Sequence, residues 1–388
     1  MRAVVILRRY LSRGIGCIHA FRKESVLSAV QAVVVGGSLA LTNIGRSLAE
    51  RTSHKHGIKR ADRLLGNTRL HAELTVWYRA VARRLIGRQK HPLILVDWTE
   101  ANGAPQHAFD ALVAALPAGK RSIPIYSLVV PHTLNNKPAV HRRFLVALKS
   151  ILPTGCEPII VTDAGFRTPW FQLVRRQGWD FIGRIRSRVL VENDAGWLDA
   201  RKLYPLAKRS PQDLGTRLVT RSRQLSCRLV LVRRSARPFR ETAIKKPRRV
   251  TEQRAASGAS EPWLLATSAQ ELSRNHVVAI YARRMAIEEV FRDHKSHRFG
   301  WGFRDVGSKS AARLAVLLLL AVLATLAPTL VGFAIETAGL HRAFQANTVT
   351  HRRVLSWRSL GAYALNRGIP PGRRGKPLKL GPLPEVVF

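Results

Sequence analysis

Acid is what this 388-residue chain lacks most: 24 Asp and Glu stand against 65 Lys and Arg, a formal net charge of +41. So lopsided a balance argues against an ordinary metabolic enzyme and points to a long polyanion, nucleic acid first, with counterion release supplying affinity. Cysteine is scarce too. Cys17, Cys156 and Cys227 stand alone, which excludes a disulfide framework and a CxxC zinc site and fits a reducing cytoplasm. The 13 histidines form no HExxH-type motif, so no metal is assigned to them. In MRAVVILRRYLSRG the apolar run before Arg8 and Arg9 is too short for a signal-peptide core. One long apolar run exists, Leu314 to Ala334. It satisfies a transmembrane window, but Thr325, Pro328, Thr329 and Gly332 interrupt it and Lys and Arg flank both sides. A helix buried under a sheet accounts for it better, and no membrane partner is expected.

What is present is a chain with 46% hydrophobic residues, long enough for two or three domains with a large core. Ribosomal proteins and histones are comparably basic. They seldom combine that charge with eight tryptophans and two buried strands running into aspartate. Those strands are PLILVDWTE and PIIVTDAGF, in which runs dominated by Leu, Ile and Val lead straight into Asp97 and Asp163. Each Asp alone also reads as a strand-end turn residue.

A third element is YARRMAIEEVFRDHK, Tyr281 to Lys295, whose composition predicts one helix. Tyr281, Arg284, Glu288 and Lys295 fall at i, i+3, i+7 and i+14, within about a 60° arc at roughly 100° per residue. Ala286, Ile287 and Val290 lie opposite and can be buried. A solvated row of ion pairs is the plain alternative for such a face. Asp97, Asp163 and Glu288 together are the hard oxygen ligands that suit two Mg²⁺ or Mn²⁺ ions in phosphoryl transfer.

Further upstream, Lys23 to about Asn67 repeats apolar residues at helical spacing, with breaks expected at Gly36-Gly37 and Gly57. Arg46, Arg51, Lys55, Lys59, Arg60 and Arg63 fall on these short helices and their joints, either to grip phosphates or as a generic basic surface. From Pro92 to Val130 an antiparallel meander is expected over Leu93–Asp97, His107–Leu116 and Ile123–Val130, the middle run being open to a helical reading. A helix from Val140 to Ile151, the Asp163 strand, a Pro169–Gly178 helix and a Phe181–Ile185 strand follow. Ser187 to Glu261 reads as an insertion, with strands at Arg217–Thr220 and Cys227–Arg233. Its cationic run, Arg237, Arg240, Lys245, Lys246, Arg248 and Arg249, either tracks DNA or is a solvated loop. EPWLLATS returns the chain to the main sheet. Trp98 and Trp263 are candidates for stacking on a splayed base, though core packing is the favoured reading.

The spacing Tyr-x2-Arg-x3-Glu-x6-Lys, met without departure by Tyr281, Arg284, Glu288 and Lys295, resembles the signature of DDE transposases of the insertion-sequence 4 family. Gly45-Arg46 and Lys55 to Arg60 are similar to a pattern in that family's N-terminal DNA-binding region. The resemblance implies an α/β fold: a ribonuclease-H-like catalytic core at 88–186 and 262–340, an inserted β-rich basic module at 187–261, and a helical DNA-binding domain at 1–87. The basic region 341–388 matches nothing in it. It implies that Asp97, Asp163 and Glu288 hold two Mg²⁺ or Mn²⁺ ions. Tyr281, Arg284 and Lys295 would hold the terminal phosphate of the non-transferred strand, and Arg46, Lys55, Lys59 and Arg60 would bind DNA. The implied activity is cut-and-paste transposition through a hairpin, by a homodimer on element ends and target DNA, in the bacterial cytoplasm at the nucleoid. A structure-specific metal-dependent nuclease and an inactive DNA-binding derivative are the alternatives.

Overall fold

The computed structural model describes residues 3–49, 52–102, 108–119, 121–186, 189–233, 261–297, 300–346 and 348–367. Arg51 and the cationic run from Arg237 to Arg249 lie outside the described residues. The chain divides into two compact units, Met1–Cys156 with Met285–Val387, and Glu157–Arg284.

The first unit begins with helices α1 (Ala3–Leu11), α2 (Ala20–Gly36), α3 (Leu41–Ser47), α4 (His54–Leu65) and α5 (Thr68–Ile86). Local chemistry sets their ends. Gly37, at φ 62°, closes α2 in the left-handed conformation that glycine adopts without a Cβ penalty. The side chains of Ser53 and Asn67 accept the backbone N–H groups of His56 and Leu70 at the starts of α4 and α5. Gly57 is not the break its residue type suggested, since it lies inside α4. A Cβ there would sit 2.1 Å from the Gly45 carbonyl oxygen, and one on Gly45 would sit 2.4 Å from the Ile58 Cα. The two glycines therefore serve a backbone-to-backbone crossing of α3 and α4, a packing demand that outweighs helix propensity.

Strands β1 (Leu93–Asn102), β2 (Phe109–Ala118) and β3 (Arg121–Pro131) form the expected antiparallel meander, with β2 in the middle. The ambiguous run is thus a strand. Helix α6 (Pro138–Ile151) follows, with Pro138 at its start where a missing N–H costs nothing.

The second unit holds β4 (Ile159–Thr162), α7 (Thr168–Arg176), β5 (Asp180–Ile185), β6 (Leu190–Asn193), β7 (Gly196–Asp199), β8 (Gln212–Val219), β9 (Leu225–Val232), β10 (Trp263–Thr267) and α8 (Arg274–Ala282). β4 and β5 are parallel. β10 lies between β5 and β9, antiparallel to both, so the strands of 187–261 extend the same sheet. β6 and β7 had no separate signal in the sequence. They are four-residue strands, too short to show a period.

The chain re-enters the first unit with α9 (Met285–Lys295), α10 (Ala311–Thr337) and α11 (Trp357–Arg367). Helix α10 is apolar all round and long enough to cross a membrane, and 94% of its most apolar window is buried within the fold. Its neighbours include α1, α2, α4, α5, β3 and α11. Helix α11 crosses it through paired glycines. A Cβ on Gly361 would meet the Pro328 oxygen at 1.8 Å, and one on Gly332 the Trp357 oxygen at 1.9 Å.

The expected single helix over 281–295 is two. Helix α8 ends at Ala282, the Arg283 and Arg284 N–H groups bond back to Ile280 and Tyr281, and α9 starts at Met285. A single helix would give Tyr281 and Glu288 the same exposure, whereas Tyr281 is buried and Glu288 exposed. The break lets each piece bury its own apolar side.

Candidate active site

In the first unit, Asp97 stands in the middle of β1, opposite Val113 of β2. Strand alternation sends Trp98 to the face of α6, where its ring lies 6.1 Å from that of His141. Trp98 is half-buried there. Asp97 and Thr99 take the opposite face, where Thr99 and Val113 line a small pocket with Phe291, His294 and Lys295 of α9. The Trp98 N–H donates to Asp97 Oδ1 at 2.8 Å, which fixes the carboxylate's rotation.

Glu288 lies in the first turn of α9, where the positive end of the helix dipole favours a carboxylate. The rest of α9 is fastened to β3. Ser122 Oγ donates to the Ala286 oxygen at 3.1 Å. The Arg121 guanidinium pairs with Glu289 and Asp293, each at 2.9 Å. Ile287 and Val290 are buried. Glu288 is left on the exposed side of a clamped helix.

Lys295, at the far end of α9, is half-buried, and burial lowers its pKa while Glu100 on β1 and Asp110 on β2 pull it back up. Those two acids are opposite one another in the β1–β2 pairing. Asp110 is buried and held by His132 Nδ1 at 2.8 Å and by Asn135 Nδ2 at 2.5 Å. Sequence reasoning missed this acid pair. Its signal was an acid inside the apolar run 107–116.

In the second unit, the four buried residues of β4 deliver Asp163 one position past the strand, where the Gly165 N–H donates to its Oδ1 at 2.9 Å. Tyr281 is buried edge-on against Trp263, ring centroids 4.8 Å apart. Trp263 packs within the fold as well. Burial pushes the Tyr281 hydroxyl up to about 12, and its charged neighbours are Arg284, Arg184 and Asp163, with Arg284 hydrogen-bonded to it. Tyr281 thus holds Arg284 in the neighbourhood of Asp163.

Asp163 also opens a cleft of about 1400 Å³ whose other charged lining residues are Arg167, Arg184, Arg186, Arg221 and Arg223. Among the lining residues Asp163 is the sole acid. Thr220, a β-branched residue at φ 64°, is pinned on the cleft wall by a 2.7 Å bond to Thr168, a strained conformation of the kind found at ligand sites. These arginines are scattered from Arg167 to Arg223 in the sequence, and only the sheet gathers them. Glu261, outside the lining, pairs with Arg186 at 2.5 Å and with Arg184 at 3.6 Å, so the cationic wall open to a phosphodiester chain is chiefly Arg167, Arg221 and Arg223.

The upstream cations are also placed. Arg46 on α3 and Lys55, Lys59 and Arg60 on α4 are exposed, around the glycine crossing. Within neither unit, among the described residues, do three His, Cys, Asp or Glu side chains gather closely enough to hold a metal ion. Asp97, Glu288 and Lys295 belong to the first unit, and Asp163, Tyr281 and Arg284 to the second.

A basic α/β protein with a carboxylate in the middle of a strand, another past a strand end and a third on a helix start is equipped for work on a nucleic-acid backbone. The family model described as transposase DDE domain matches residues 88–325. The chain belongs to that family: it is a DDE transposase, and its substrate is DNA. No curated protein matches it.

Proposed function

We propose that this enzyme is a cut-and-paste transposase of the insertion-sequence 4 type, with Asp97, Asp163 and Glu288 as its metal-binding carboxylates. The observation that carries the reading is that all three, together with the full Tyr281-Arg284-Glu288-Lys295 spacing, fall inside the matched span 88–325. The meander β1–β3, followed by α6 and the parallel pair β4–β5, supports a ribonuclease-H-like core.

The donor set fits Mg²⁺ or Mn²⁺: three hard carboxylates, two of them held in rotation by a neighbouring backbone N–H. Two ions bound there would supply Lewis-acid activation of the attacking oxygen and stabilisation of the leaving 3′ oxygen. The chain's own residues do the positioning. Arg284, steadied by Tyr281, and Lys295, steadied by Glu100 and Asp110, hold the phosphate of the non-transferred strand. Arg167, Arg221 and Arg223 guide the strand past Asp163. The chemistry starts with a strand cut that frees a 3′ hydroxyl, passes through a hairpin and ends in joining to target DNA. Arg46, Lys55, Lys59 and Arg60 hold DNA within the helical region 1–87. A homodimer processes the two ends, in the bacterial cytoplasm at the nucleoid.

The test is a duplex carrying the ends of the element that flanks the gene, incubated with Mg²⁺ and resolved on a denaturing gel. Nicked, hairpin and joined products are expected in that order. Nicks that never become joined products would point to a nuclease instead.

A further inference from the structure

A second cationic hollow lies in the first unit, away from every residue assigned so far. It is a cleft of about 690 Å³ between the end of α1, the turn after it and the last turns of α5. Arg9, Arg13, Arg79, Arg83 and Arg84 line it together with Tyr10, and no lining residue is acidic. Among the described residues none of the five arginines is in an ion pair, although Arg8, next to Arg9, is paired with Glu24.

The plain explanation is that arginines in the last turn of a helix offset its dipole, and Arg9, Arg83 and Arg84 do occupy last turns. That leaves three features unexplained. Arg79 and Arg83 are a like-charged i, i+4 pair on α5, a mildly unfavourable arrangement that an anion between them would relieve. Arg13 is outside the helix altogether and is brought over by Gly14, where a Cβ would sit 2.5 Å from the Ala80 Cβ. The Tyr10 hydroxyl is buried without a hydrogen-bond partner, on a residue only 7% exposed, beneath the Arg84 guanidinium at 4.9 Å from its ring. A buried hydroxyl left unsatisfied beside five guanidiniums that have no ion-pair partner among the described residues, Arg79 alone of them also donating to the Ser150 carbonyl at 3.0 Å, fits a ligand with several acceptor oxygens.

We propose that this cleft binds the sugar–phosphate backbone of duplex DNA, as a contact surface separate from both the α3–α4 cations and the catalytic carboxylates. Five guanidiniums with no carboxylate among them match the phosphate oxygens of the backbone. Phosphate contacts carry no sequence information, so affinity for a random-sequence duplex is the measure of this cleft. The inference rests on the transposase reading for the identity of the polyanion.

The experiment uses the full chain and a random-sequence duplex without metal, with affinity measured across a salt series. Replacing Arg9, Arg13 and Arg83 by Gln should weaken binding roughly tenfold or more and make the salt slope shallower by about 2 to 3, since each lost phosphate contact removes about 0.9. Arg13→Gln alone, in an exposed turn, should lower the slope by about one, and Arg13→Lys should restore it. Wild-type affinity and slope in the Gln variants would overturn the cleft while leaving the transposase reading standing. A wild-type chain that binds no duplex at any salt would overturn both. Complete competition by millimolar inorganic phosphate would also overturn the proposal, by showing a small-anion site.

Discussion

The two halves of the Tyr281–Lys295 stretch are built on different physical terms. Tyr281 and Arg284 belong to the second unit, where the tyrosine is buried against Trp263 and its hydroxyl holds the arginine. Glu288 and Lys295 belong to the first unit, on a helix clamped to β3 through Arg121 and Ser122, with the glutamate exposed. The first half is fixed by burial and a neutral hydroxyl, the second by ion pairs on the reverse side of a helix. A short signature can therefore place several groups even where no single helix runs through it. It also follows that the halves should fail in different ways.

The largest effect is expected from the carboxylates. Asp97→Asn or Glu288→Gln should lower DNA cleavage by roughly three orders of magnitude, about 4 kcal/mol of transition-state stabilisation. DNA affinity should stay within about twofold, as gel-shift titration would show. A cleavage rate near wild type in either variant would remove that carboxylate from the site.

Next come Arg284→Ala and Lys295→Ala. One charge-assisted phosphate contact contributes about 1.5 to 3 kcal/mol, a factor of roughly 10 to 150. Hairpin formation and joining should fall by that factor while first-strand nicking falls less. Equal loss at every step would mean that these side chains support the fold or the metal site only.

Acid should separate the two units. Burial pushes His141 down to about 4 and His294 down to about 3, the latter helped by Arg358, and both are in the first unit. The second unit's one histidine, His276, is exposed. A folded pKa below the unfolded value of about 6.5 means that the unfolded chain takes up protons which the fold refuses. This contribution is whole above pH 6.5 and is lost as pH falls through 4. Asp293, raised by burial, works in the other direction and trims the effect. Hydrogen exchange followed from pH 7 to 4 should show the first unit losing protection before the second, and His141→Gln should narrow the gap. Simultaneous loss would mean that the buried histidines do not set acid stability.

The smallest effect is predicted for Tyr281→Phe, which removes only the hydroxyl bond to Arg284. About 1 kcal/mol, or roughly fivefold, should be lost from joining. A loss as large as that of Arg284→Ala would show that the hydroxyl itself touches the DNA.

Much of this was legible in the residues because it is periodic or strictly spaced. The runs into Asp97 and Asp163 are continuous β-formers, the meander alternates with clear turns, and Leu314 to Ala334 is too apolar to be anything but buried or membrane-spanning. What escaped was decided by contacts between distant residues. Gly57 looks like a helix break until Gly45 is packed against it. The break at Arg283 and Arg284 follows from what Trp263 and β3 demand of the chain on either side. Arg184 and Arg221 share a wall only because β5 and β8 lie in one sheet, and Asp110 pairs with Glu100 only through strand register.

The central claim is that Asp97, Asp163 and Glu288 serve one metal-dependent centre. It is tested most directly by replacing Mg²⁺ with Fe²⁺ in the DNA-bound enzyme, adding ascorbate and peroxide, and mapping the backbone cuts made by hydroxyl radical near the bound iron. The account predicts cuts beside all three residues, with Asp163→Asn suppressing those near Asp97 and Glu288 as well as its own. Cuts confined to one unit, or cuts near Asp97 and Glu288 that persist at full strength in Asp163→Asn, would contradict it.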